Sequence, residues 1–149
     1  MNNPSAADSP NFDPVPREIE VTKLPKSKIL FIQSDRAMLI YCRLLLDEQY
    51  CVVVARDCHE GLDLAASEAP DLILIDLGEE ADQGLALCGK ILRGKATRKI
   101  PLIVLYDMRH RENVGRARKM GVVDHIPKPI IPTLFLKRIQ TALERYSRT

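Results

Sequence analysis

The 149-residue sequence lacks the features that mark membrane proteins, secreted proteins and strongly basic nucleic-acid-binding proteins. It has no apolar run of the roughly 18 residues that a membrane span requires, and its first residues do not match a secretory signal peptide. Its formal net charge is only +2, which is too small for a general attraction to nucleic acid. We therefore expect a cytoplasmic protein without a membrane segment, whose electrostatic partners recognise a local patch.

Cysteine and histidine are also sparse, and their spacing matches no metal site or disulfide framework. The four cysteines are Cys42, Cys51, Cys58 and Cys88, and no two of them form a CxxC pair. The three histidines, His59, His110 and His125, fall in separate predicted elements. Since zinc sites and disulfide scaffolds need characteristic spacings, we expect no metal site among these residues, and reduced thiols that pack as small core groups.

Proline is concentrated at the start of the chain. Residues 1–26 hold five of the ten prolines with few apolar residues between them. Such a segment buries too little surface to offset the entropy of ordering it, so residues 1–26 are predicted to be a flexible tail and residues 27–147 a single domain. An alternative in which Phe12, Val15 and Ile19 dock on a neighbouring surface stays open.

The centre of the predicted domain is the run Leu72–Leu77, which is apolar at every position except Asp76. A run that is apolar on both faces indicates a central parallel strand covered by helices on each side. Ligands of open α/β sheets bind beyond the carboxyl ends of the strands, so Asp76 is placed for function. The alternative is a carboxylate that only caps the loop that follows.

Short apolar runs alternate with amphipathic segments along the rest of the domain. Strands are expected at residues 29–32, 51–55, 72–77, 100–105 and 122–126. Helices are expected between and after them, with Asp35 or Ser34 capping the first and Asp57 the second. The last two helices are a basic one over Arg109–Met120 and an amphipathic one over Pro132–Tyr146. This alternation predicts a parallel sheet with right-handed crossovers.

From Lys28 to Tyr146 the chain resembles the receiver domain of bacterial two-component response regulators. Four landmarks carry the resemblance: Asp76, Gly84, Pro101 and the pair Lys128-Pro129. The resemblance implies a flavodoxin-like (βα)5 fold with strand order 2-1-3-4-5. It also implies a signalling module rather than an enzyme, with Asp76 as candidate phosphoacceptor and Lys128 as the cation beside the phosphoryl group.

Five positions depart from the receiver pattern. Gln33 and Ser34 replace the two adjacent acids that help the phosphoacceptor to hold magnesium. Tyr106 replaces the small hydroxyl residue after the fourth strand, His125 replaces the aromatic switch residue, and Glu80 replaces a proline. The resemblance therefore implies a degenerate receiver whose metal site and switch are both altered.

Charge counting indicates what the loss of the acid pair does. Three carboxylates and one lysine carry a charge of −2, which suits a magnesium ion, whereas Asp76 and Lys128 together are neutral. We expect no resident metal, and a direct ion pair between Asp76 and Lys128 with hydrogen bonds from Gln33 and Ser34. Magnesium is expected only if the chain is a conventional receiver that a histidine kinase phosphorylates on Asp76.

The favoured interpretation is a stand-alone atypical receiver that works through protein contacts. Its partner, a histidine kinase or a downstream effector, would bind the surface formed by Arg109–Met120, Val122–Ile126 and Pro132–Tyr146, and a homodimer through this surface is an alternative. Nucleic-acid binding is not predicted, because a recognition helix and a series of stacking aromatics are absent. The loops also lack the glycine and aromatic pattern of a flavin site.

Overall fold

The computed structural model describes residues 25–32 and 35–146. The strands are β1 (Lys28–Ile32), β2 (Cys51–Ala55), β3 (Leu72–Asp76), β4 (Leu102–Asp107) and β5 (Asp124–Lys128). The α-helices of this part of the chain are α1 (Arg36–Leu46), α2 (Cys58–Glu68), α3 (Ala81–Arg93), α4 (Glu112–Met120) and α5 (Pro132–Arg145). None of these helices combines the length and apolar character needed to cross a bilayer.

The five strands form one parallel sheet in the order β2-β1-β3-β4-β5. The predicted fold class is therefore confirmed. β3 lies in the middle of the sheet, between β1 and β4, so its carboxyl end has a loop from a neighbouring strand on either side. Asp76 is the last residue of β3 and thus lies at the centre of the edge where ligands of such sheets bind.

Two apolar cores cover the two faces of the sheet. On one face, Phe31 and Leu74 pack with Leu46 of α1 and Phe135 of α5. On the other face, the alternate strand positions pack against α2, α3 and α4. Successive residues of a strand point to opposite faces, and from Leu72 to Ile75 all four are buried. The uninterrupted apolar run is thus explained by helices on both sides.

Two helix starts follow the predicted capping. The Asp35 carboxylate accepts hydrogen bonds from the backbone N–H groups of Ala37 and Met38. Asp57 accepts from the N–H of Glu60, and the Glu60 carboxylate accepts from the N–H of Arg56. These carboxylates satisfy backbone donors that have no partner within the helix.

Three predicted boundaries were wrong. β4 continues to Asp107, and β5 spans Asp124–Lys128 rather than 122–126. Pro127 lies inside β5, where it is tolerated because β5 is an edge strand. The helix expected from Arg109 begins only at Glu112, after a short 3-10 turn over Met108–His110. As a result, Lys128 is the last residue of a strand and not part of the loop after it.

Candidate functional site

The candidate site is built around the carboxylate of Asp76. Its side chain is only 2% exposed, because the ends of β1 and β4 flank it. Oδ1 accepts a hydrogen bond from the backbone N–H of Gly78 at 3.0 Å. Gly78 has a φ of +57°, a left-handed conformation that glycine adopts without steric cost. This turn brings the chain back toward the carboxylate.

Lys128 brings a positive charge to Asp76 from two strands away. Its Nζ lies 2.6 Å from Asp76 Oδ1, and its side chain is 19% exposed. In the register of the sheet, Asp76 is opposite Leu105 of β4 and Lys128 is opposite Asp107, so the lysine reaches Asp76 across the end of β4. The direct ion pair expected from the sequence is present.

The pair lies in an open cleft of about 620 Å³ at the carboxyl edge of the sheet. The acidic side chains that line it are Asp35, Asp57, Asp76, Glu79, Glu80 and Asp107, and the basic ones are Arg56, Arg109, His110 and Lys128. The acids outnumber the bases, but several of the carboxylates already accept hydrogen bonds from backbone N–H groups or form ion pairs with cations. The cleft is polar and solvated rather than an apolar ligand pocket.

Asp107 and Arg109 form a charged pair at the rim of this cleft. The Asp107 carboxylate accepts from the backbone N–H of Arg109 at 2.8 Å and from its guanidinium Nη2 at 2.7 Å. These hydrogen bonds hold the pKa of Asp107 well below its usual range. The sequence did not predict this pair, although an acid two residues before an arginine after an apolar strand is the signal that could have indicated it.

Tyr106 and His125 meet side by side on β4 and β5. Their ring centroids are 5.9 Å apart with an interplanar angle of 64°, an edge-to-face contact. His125 Nδ1 is buried and has no hydrogen-bond partner among the described residues. Burial lowers the pKa of His125, Arg118 and Arg138 act in the same direction, and Asp124 opposes them. We therefore expect a neutral imidazole at neutral pH.

The remaining sequence-predicted site residues are Gln33, Ser34 and Glu80. Gln33 and Ser34 lie outside the described residues, so the hydrogen bonds expected from them stay predictions. Glu80 is exposed at the start of α3. Within the described ranges, no three histidine, cysteine or acidic side chains cluster in a way that could hold a metal ion.

A comparison with known protein families adds independent support for the fold. The family model described as "Response regulator receiver domain" matches residues 29–140, which is most of the chain. The chain belongs to this family. Receivers interact with histidine kinases and effectors in two-component signalling, and the position of Asp76 at the end of the central strand agrees with this membership.

Several relatives share the receiver over different fractions of their length. The response regulator DivK of Brucella anthropi is 28% identical and is matched over 98% of its length and 80% of this chain. The regulatory protein ResD of Bacillus subtilis is 29% identical over 83% of this chain and 51% of its own. The chain spans about half or less of the first curated relatives that it matches.

Solved receiver structures have the same architecture. A receiver domain protein from Methanospirillum hungatei has a TM-score of 0.74 with 26% identity, covering 83% of this chain and 98% of its own. The receiver of a histidine kinase from Syntrophus aciditrophicus has a TM-score of 0.74 with 25% identity, covering 83% and 94%.

The basic residues of this receiver do not form one continuous patch. Arg109 and Arg111 lie beyond the carboxyl end of β4, whereas the segment 93–99 joins α3 to β4 at the opposite edge of the sheet. Arg116 of α4 pairs with Asp82 of α3 at 3.0 Å. The basic side chains of residues 93–119 are therefore divided between two ends of the sheet and partly neutralised by ion pairs.

Proposed function

We propose that this receiver is an atypical response-regulator module that signals through protein contacts, with magnesium-dependent phosphorylation impaired. In this proposal the chain has no turnover of its own and is not an enzyme. The observation that carries it is the ion pair between Asp76 and Lys128, which leaves the centre of the cleft without net charge. A cytoplasmic location remains a prediction from the sequence.

The cleft offers little to a magnesium ion. Magnesium prefers an octahedron of oxygen ligands that includes one or two carboxylates, and Gln33 and Ser34 bring no charge. Asp35 caps α1, Asp107 holds Arg109, and Asp76 holds Lys128. The described residues therefore do not fit a receiver-type magnesium site, and we assign no step to a metal.

The proposed partner surface is formed by the turn and helix after β4, by β5 and by α5. Arg138 of α5 fixes β5 against that helix, since its guanidinium donates to Asp124 Oδ1 at 2.8 Å and to the carbonyl of His125 at 2.9 Å. His125 lies between this anchor and Tyr106, so a change at either ring would alter the surface. A histidine kinase or a downstream effector is the expected class of partner.

A conventional phosphoacceptor is the second candidate. It is favoured by the placement of Asp76 at the carboxyl end of β3, where a carboxylate can act as a nucleophile toward a phosphoryl group, with Lys128 beside it. Magnesium would then be required, because phosphoryl transfer depends on a metal to neutralise developing charge. In that case Lys128 would exchange Asp76 for a phosphoryl oxygen.

Exposure to beryllium fluoride with magnesium, followed by amide chemical shifts, separates the two candidates. We expect no site-specific shifts in the natural sequence at millimolar magnesium. The matched control is Gln33→Asp with Ser34→Asp, which restores the two missing acids and should produce shifts around Asp76. Shifts in the natural sequence that centre on Asp76 and extend to Tyr106 would show that the phosphoacceptor function is intact.

A further inference from the structure

Helix α1 exposes an apolar stripe on its outer side. Leu44 is 76% exposed, Ile40 is 54% exposed and Tyr41 is 39% exposed, whereas Cys42 and Leu46 on the inner side are fully buried. Ile40 and Leu44 are one helical turn apart, so their side chains are neighbours on the surface. Contiguous exposed apolar side chains of this kind indicate an interaction site.

Charges of opposite sign flank the stripe. Arg36 is the first residue of α1, and Glu48 lies just beyond its last residue. Both residues are exposed, and neither forms an ion pair with a side chain in the described ranges. Arg43, by contrast, pairs with Asp47 within the same turn at 3.5 Å. The stripe thus has a cation, Arg36, at its start and an anion, Glu48, at its end, and both charges are available to a docking partner.

The pattern is symmetric about residue 42. Ile40 and Leu44 are equally distant from this position in the sequence, and so are Arg36 and Glu48. In an antiparallel helix pair with a two-fold axis at residue 42, this spacing brings an apolar residue opposite an apolar residue and a cation opposite an anion. Ile40 and Leu44 lie about 6 Å apart along the helix axis at a rise of 1.5 Å per residue, and Arg36 and Glu48 lie on either side of them.

We propose that a second copy of this chain docks on the stripe, with the two α1 helices antiparallel and the two-fold axis near residue 42. Ile40 then packs against the partner's Leu44, and Leu44 against the partner's Ile40. At each end of the contact, Arg36 meets the partner's Glu48. This dimer uses the opposite side of the molecule from α4 and does not depend on the function proposed for Asp76.

A self-complementary partner explains the charges better than the other occupants do. Residues 1–24, which lie outside the described residues, carry several apolar side chains, but a single segment of this chain has no reason to be symmetric about residue 42. The stripe consists of three exposed apolar side chains, whereas each side of a stable interface has about 20 to 30 residues. We therefore expect a weak dimer that forms in the upper micromolar range and weakens as salt rises.

Sedimentation equilibrium of the full chain over micromolar to near-millimolar concentration tests the proposal. The Leu44→Asp variant should be a monomer at every concentration. Because Leu44 is exposed, the circular dichroism of this variant should match that of the natural chain. The matched control is Met120→Asp, which introduces the same charge at an exposed apolar residue of α4 and should leave the association unchanged. A natural chain that stays monomeric, or association lost in Met120→Asp alone, would overturn the proposal.

Charge reversal tests the antiparallel register itself. Arg36→Glu and Glu48→Arg should each weaken association about tenfold, since each removes two ion pairs and creates two like-charge contacts. The double variant should regain the natural dissociation constant within about threefold, because the pairs are restored in reverse. Failure of this rescue would overturn the register. Protection of α1 amides in a monomer that is lost on deleting residues 1–24 would assign the stripe to that segment instead.

Discussion

At the scale of single residues, the ion pair between Asp76 and Lys128 is the most consequential contact. Removing one member of a buried pair leaves an uncompensated charge. Asp76→Asn keeps the acceptor for the Gly78 N–H and removes only the charge. We expect the free energy of unfolding, measured in urea, to fall by about 3 kcal/mol, the lower end of the usual range, since Lys128 is partly exposed.

The control for this substitution is Asp107→Asn, which breaks an exposed ion pair with Arg109 at the same edge of the sheet. Exposed pairs contribute little to stability, so its urea midpoint should remain close to that of the natural chain. If Asp76→Asn leaves the midpoint unchanged or raises it, the ion-pair assignment is wrong. That result is expected where carboxylates cluster around a metal site, because removing one charge then reduces the repulsion between them.

His125 makes stability depend on pH. Its folded-state pKa is lowered relative to about 6.5 in the unfolded chain, so the unfolded state binds more protons below that pH. The stabilising contribution is fully present above about pH 6.5 and is lost as pH falls from there through the lower folded-state pKa. His125→Phe should remove this part of the pH dependence, whereas the exposed control His59→Gln should keep it. Identical pH slopes for the natural chain and His125→Phe would refute the assignment.

The thiols should differ in reactivity according to burial. Burial raises the pKa of Cys42 and of Cys88 to about 12, whereas Cys51 is exposed at the start of β2. A thiolate is the reactive form, so an aromatic disulfide reagent at neutral pH should modify Cys51 readily. Cys42 and Cys88 should react only on unfolding, and rapid labelling of either in the native protein would contradict their placement in the core.

The sequence predicted the charges of the site but not all of their partners. Asp76 was identified because it ends a buried apolar run, and Lys128 because the pair Lys128-Pro129 matches the receiver pattern after the fifth strand. The pairing of Asp107 with Arg109 was missed because it depends on a turn whose shape the pattern does not specify. The outer stripe of α1 was missed because Ile40 and Leu44 are apolar in a helix whose inner face was already assigned.

At the scale of secondary-structure elements, capping by Asp57 can be tested within one helix. Asp57→Ala removes the acceptor for the Glu60 N–H and should lower the free energy of unfolding by about 1 kcal/mol. Asp63→Ala, in the same helix, removes an exposed carboxylate that lies 3.7 Å from the exposed imidazole of His59 and should have a much smaller effect. Equal losses in the two variants would show that the cap does not stabilise α2.

Element types were predicted more reliably than element ends. Strands β1 to β4 were recognised because each is mainly an apolar run of the right length between turn-forming residues. Their ends were misplaced where tertiary position overrides local preference: Pro127 argues against a strand from sequence alone, but β5 lies at the edge of the sheet, where proline is tolerated. The start of α4 was misplaced because Asp107 holds Arg109 in a turn that delays the helix.

At the scale of the whole molecule, the two cores share one sheet and should unfold together. Phe135 of α5 is fully buried on one face, and Phe135→Ala should cost about 3 to 5 kcal/mol. Far-ultraviolet circular dichroism and tyrosine fluorescence should still report one coincident transition. Tyr146→Ala, at the exposed end of the same helix, is the control with little effect, and separate transitions would show that α5 unfolds alone.

The parallel sheet also separates the cleft from both ends of the described domain. β1 begins at the edge opposite Asp76, and α5 runs back to that same edge, where burial and, to a lesser degree, the charge of Glu144 raise the pKa of the Tyr50 phenol. A fluorophore or a surface tether attached before Lys28 or after Arg145 should therefore leave the cleft open to a docking protein. Single-molecule or biosensor formats can immobilise this receiver at either end with its reactive edge facing outward.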